Sequence, residues 1–138
     1  MSGFAERRYG RLPRTVEEVE ARMRQAAATL WMMPGGSPRP AGYRSAMPTP
    51  VDAGGGRQSV TMHEIGAMEE ALGWLRLLPA DRPDLRIVVC LRTRHDPARS
   101  TPTAWRAVAL SRGEDARAVR RKYDLALRLI LGALAASR

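Results

Sequence analysis

Behind Gly113 the chain sets Arg117, Arg120, Arg121 and Lys122 within two helical turns, and Arg128 follows further along. A guanidinium carries donors in a rigid fork that matches phosphate oxygens and the edge of guanine, whereas an ammonium binds phosphate as a point charge. At about 100° per residue, Arg117, Arg121 and Arg128 share one side of a helix. Ala116, Val119, Tyr123, Leu127, Ile130 and Leu134 gather on another, so the cationic stripe is separate from the apolar one. That layout predicts phosphate and guanine contacts from Arg117, Arg120 and Arg121, with Lys122 and Arg128 clamping phosphates. The plainer alternative is an amphipathic helix with a solvated basic face.

What would hold such a stripe in place is a second helix. Trp105 to Leu127 reads as two short amphipathic helices meeting at Gly113, the layout of a helix-turn-helix. Ala109 lies four residues before the glycine, where crossing helices need a small side chain, and Val108 is its core neighbour. Val119, six residues after it, matches the buried position of the second helix; Trp105 and Tyr123 complete the positioning set. Arg112 and Glu114 flank the glycine where a typical unit carries apolar residues.

Other chemistry is poorly served. His95, Asp96 and Ser100 are the residue types of a hydrolase triad, but all lie in one proline-containing loop that cannot hold three roles in register. Two histidines and one cysteine give little material for a metal site. The run Gly54-Gly55-Gly56-Arg57-Gln58-Ser59 lacks the lysine of a phosphate loop and follows no strand. Glu69 and Glu70 are adjacent and therefore diverge on a helix. Trp31, Trp74 and Trp105 are expected at helix junctions, and Met23, Met32, Met33, Met62 and Met68 as core filler. No catalytic residue, metal, cofactor or small-molecule substrate is expected, and the chain is read as a non-enzyme.

The 23 basic residues exceed the 14 acidic ones, a formal charge of +9 that attracts polyanions. All basic residues but Lys122 are arginine, which a nucleotide-composition bias could also produce, so position carries more weight than count. Cys90, alone in the apolar run Ile87 to Leu91, cannot form an intramolecular disulfide. With no apolar segment at the N-terminus and no apolar span of about 18 residues, the expectation is a cytoplasmic protein without a membrane partner.

At 138 residues, one modest core is the expectation. Thr15-Val16-Glu17-Glu18 and Thr61-Met62-His63-Glu64 read as capping boxes opening helices. The first helix is expected over 16–33, on the stripe Val16, Val19, Met23, Ala26 or Ala27, Leu30 and Met33. The second carries Ile65, Met68, Leu72, Leu75 and Leu78, with Trp74 beside them. Pro83 sits in a helical first turn; the β-branched run after it could be a strand, but it has no partner, so 85–94 is read as helix. Thr103 and Asp115 are expected as caps of the last two helices. The predicted organisation is all-α: a leader and helix over 1–33, a Pro/Gly-rich linker over 34–60, and a helical domain over 61–138 containing the helix-turn-helix at 105–127. Leu125 and Leu129 lie off both stripes of the last helix, which predicts burial by the rest of the chain or by another subunit.

The chain also resembles a prophage-associated bacterial family of unknown function with a C-terminal helix-turn-helix like that of a sigma factor. The matching residues are Val16-Glu17-Glu18-Val19 with Arg22-Met23, Gly42-Tyr43-Arg44-Ser45, Trp74-Leu75, Trp105 to Ala109, Gly113, Arg120 to Tyr123 and Ala126-Leu127. The resemblance implies double-stranded DNA binding. Three readings follow: a dimeric phage transcription regulator, a ring-forming small-terminase-like packaging factor, or a helical adaptor for another protein.

Overall fold

The computed structural model describes residues 9–33, 60–98 and 101–137, and among them the protein is helical without a strand. The elements are α1 (Val16–Met32), α2 (Met62–Gly73) continuing into a 3-10 turn (Trp74–Leu77), α3 (Pro83–Thr93), α4 (Trp105–Arg112) and α5 (Ala116–Ala136). Most of the Pro/Gly-rich segment, including Gly42 to Ser45 and Gly54 to Ser59, lies outside the described residues, as does Ser100.

Both capping boxes form. Thr15 accepts the amide of Glu18 while Glu18 accepts the amide of Thr15, and Thr61 and Glu64 repeat the exchange. Two first-turn donors are thereby satisfied at each start. Backbone donation from Arg14 and Thr15, with the charge of Arg11, holds Glu18 below the usual carboxylate range against a smaller opposing effect of burial. Pro83 occupies the first turn of α3, where a missing amide is harmless. The run Ile87-Val88-Val89 is helical because Val88 and Val89, with Leu85, fill the interior on one face.

α5 is the centre of the packing. It lies against α1, α3, α4 and the 3-10 turn, while α1 also packs along α2. Val119, Tyr123, Ala126, Leu127, Ile130 and Leu134 of α5 are buried with Val19, Met23 and Ala26 of α1 and Leu85, Val88 and Val89 of α3. The arrangement closes over residues far apart in sequence: the Tyr123 hydroxyl donates to Glu20 of α1.

Three expectations need correction. Trp74 belongs to the core, because it follows Ala71 by three residues and shares the inward face of Met68, Ala71 and Leu78, while Leu72 and Leu75 are half-buried. Met62 is 81% exposed rather than core filler, since it follows the N-cap on the solvent side. Thr103 does not cap α4. Its amide donates to the Arg92 carbonyl and its own carbonyl accepts from the Arg92 guanidinium, so Ala104 takes the cap position, without a side-chain cap, and the helix starts at Trp105.

Candidate nucleic-acid interface

The junction between α4 and α5 is a three-residue turn built by backbone geometry. Gly113 is left-handed (φ 66°, ψ 31°), a region that costs an L side chain about 1–2 kcal/mol and glycine almost nothing. In that conformation the Gly113 amide donates to Leu110 and the Glu114 amide reaches back to Ala109 at 3.0 Å, which closes the end of α4 as a Schellman motif. Asp115 then caps α5 by accepting the Arg117 amide at 3.1 Å. Two carbonyls at the end of α4 and one amide at the start of α5 are thereby partnered.

Side chains fix the crossing. Val108 and Ala109 of α4 and Val119 of α5 are buried at the contact, where the small Ala109 admits close approach. Trp105 meets the Tyr123 ring edge-on at 5.2 Å, and the Arg92 guanidinium covers the other ring system at 4.2 Å from the Trp105 centroid. Burial, then donation to Glu20, pushes the Tyr123 hydroxyl far above its usual range, so it remains a hydrogen-bond donor at any physiological pH.

Glu114, out of place by the apolar pattern of similar turns, has a specific partner. Lys122 donates to Glu114 Oε1 at 2.6 Å, and its Nζ lies 3.4 Å from Asp84 Oδ2. Arg82 grips the same Asp84 with two hydrogen bonds of 3.1 Å, and Arg112 lies 3.9 Å from Glu114. This chain of charges joins the start of α3, the turn and α5. Hydrogen bonding from Arg82, together with its charge and Lys122, overrides burial and lowers the Asp84 carboxyl to about 2. Glu114 and Asp84 in turn raise Lys122 above the ordinary ammonium range.

The arginines contrast with this lysine. Arg117, Arg120, Arg121 and Arg128 are all exposed, and none has an ion pair or side-chain hydrogen bond among the described residues. Lys122 is held by two carboxylates and is only 27% exposed, so its charge is neutralised inside the molecule. Sequence reasoning missed Arg106, an exposed cation in the first turn of α4 with no ion pair among the described residues; its position after Ala104 and Trp105 was the available signal. It also missed the tie between Glu114 and Lys122, whose eight-residue spacing spans two helices and a turn.

Among the described residues no three potential metal ligands converge, and no helix is long and apolar enough to cross a membrane. No protein-family model, curated protein or solved structure matches the chain.

Proposed function

We propose that the protein binds double-stranded DNA through α4, the turn at Gly113 and the first turns of α5, as a cytoplasmic transcription regulator of phage or prophage character. One observation carries the reading: Arg117, Arg120 and Arg121 project from the start of a capped helix with no carboxylate partner among the described residues, while the opposite side of that helix is locked into the core. A helix presented this way fits the width of a major groove, with guanidinium forks reaching phosphates and guanine edges. Arg106 at the start of α4 adds a further phosphate contact beside the groove. In this reading Lys122 acts through the turn as a positioning residue, and Arg128 marks the far limit of the footprint.

Leu110 on α4 is 85% exposed, and Ile87 and Leu125 are partly exposed; in this reading self-association covers part of that apolar surface. A dimer would present two recognition helices to half-sites about one helical turn apart, whereas a ring of eight or more copies would favour a packaging factor. Light scattering separates the two.

The decisive titration measures affinity for random duplex at several salt concentrations. Each neutralised phosphate contributes a slope of about −0.9 in log K against log salt. Wild-type protein is expected to give a slope of about −3 or steeper, and the Arg117→Ala/Arg120→Ala/Arg121→Ala variant to lose about three units. Wild-type protein with no salt-dependent affinity would favour the protein adaptor.

A further inference from the structure

Three acids follow Gly113 in the sequence, and two of them are occupied. Glu114 accepts a hydrogen bond from Lys122, and Asp115 caps α5 by accepting the Arg117 amide. The third, Asp124, is half-buried in α5 and has no ion pair or side-chain hydrogen bond among the described residues. Its neighbours make that unusual. Arg120 and Arg128 lie four residues to either side and Arg121 three residues before it, the spacings at which helical ion pairs form.

Asp124 also lies within the cationic stripe rather than beside it. At about 100° per residue it falls about 20° from Arg117 and about 40° from Arg128 on one side, and about 40° from Arg120 on the other. A face that only held phosphates would gain nothing from a carboxylate there, because it repels the backbone oxygens and offsets one of the cations.

A duplex offers such a group one well-matched partner. In the major groove guanine shows two acceptors, thymine an acceptor and a methyl group, and adenine an acceptor beside its amino donor; cytosine alone shows a donor with no acceptor. We infer that Asp124 is a base-reading residue that accepts the N4 amino group of a cytosine. The inference rests on the duplex-binding reading of α5. It gives the basic helix a sequence preference, since a register that sets this carboxylate against phosphate or guanine is repelled. Asp124 stands about 4.5 Å beyond Arg121 along the helix axis. With base pairs about 3.4 Å apart, the cytosine is expected about one or two pairs from a guanine read by Arg121.

Selection from a randomised duplex library, run with the full chain as wild type and as Asp124→Asn, tests the assignment. An asparagine amide pairs with N6 and N7 of adenine. One cytosine of the wild-type consensus is therefore expected to become adenine, with the other positions unchanged. On two duplexes that differ only at that pair, wild type should prefer cytosine by about tenfold or more, Asp124→Asn should prefer adenine, and Asp124→Ala should bind both equally. Thermal unfolding reports that both variants are folded. The same consensus from wild type and Asp124→Asn, or wild-type affinity without sequence preference, overturns the role of Asp124 and leaves duplex binding standing. Wild-type protein without salt-dependent duplex affinity overturns both.

Discussion

Arg22 on α1 and Arg117 on α5 are the same side chain in opposite circumstances. Arg22 is mostly buried, ion-paired with Glu70 of α2, and stacked over Trp74 at 4.9 Å. Arg117, like Arg120 and Arg121, is exposed and has no ion pair among the described residues. The first kind of arginine holds two helices together; the second kind adds nothing to the fold and leaves its charge available to a polyanion. A net charge of +9 therefore says less about function than the distribution of carboxylates that cancel it.

The contrast is broken most severely by variants that should affect only one side of it. Arg117→Ala/Arg120→Ala/Arg121→Ala should abolish most of the duplex affinity while each exposed change shifts stability by no more than about 0.5 kcal/mol; thermal unfolding beside a binding titration checks both. Arg22→Met should do the reverse. Removing one partner of a largely buried pair leaves the Glu70 carboxylate uncompensated, so a loss of about 2 kcal/mol or more is expected in denaturant unfolding, with the salt slope of duplex binding unchanged.

Smaller changes sharpen the comparison at the turn. Lys122→Met removes the hydrogen-bonded partner of Glu114, leaving it Arg112 at 3.9 Å while Asp84 keeps Arg82, and is expected to cost about 1 kcal/mol. If Lys122 is a positioning residue, duplex affinity should fall without loss of salt slope; a slope reduced by about one unit would instead make it a phosphate contact. Gly113→Ala should cost about 1 kcal/mol through its left-handed backbone alone, readable as a lowered unfolding midpoint.

The smallest effect is on pH. Asp84 is lowered to about 2 from an ordinary value of 3.8, chiefly by the hydrogen bonds and charge of Arg82. A depressed carboxylate contributes stability that is complete above the ordinary value and vanishes as pH falls through the lowered one. Unfolding measured between pH 5 and about 2 should therefore decline less steeply in Asp84→Asn than in wild type.

Local signals in the sequence were enough to place the helices. The threonine-to-glutamate spacings at 15–18 and 61–64 mark two helix starts, Pro83 a third and Asp115 the last, because each depends on neighbours within one turn. The free cations of α5 were legible for the same reason: their angle from the apolar stripe follows from helical periodicity alone. The partners were not legible. That Lys122 meets Asp84, and Tyr123 meets Glu20, depends on how α5 crosses α3 and α1. Thr103 failed as a cap through a contact of the same kind, with Arg92 drawing it onto the end of α3. Glu114 looked like a defect until the lysine eight residues later came back to meet it.

The location of the duplex interface is the central claim, and a backbone amide shift map of the full chain titrated with duplex tests it most directly. The account predicts the largest perturbations at Arg106 and from Gly113 to Arg121, with the α1–α2 contact around Arg22 and Glu70 silent. Perturbations centred on α1 and α2, with residues 113–121 unmoved, would contradict it.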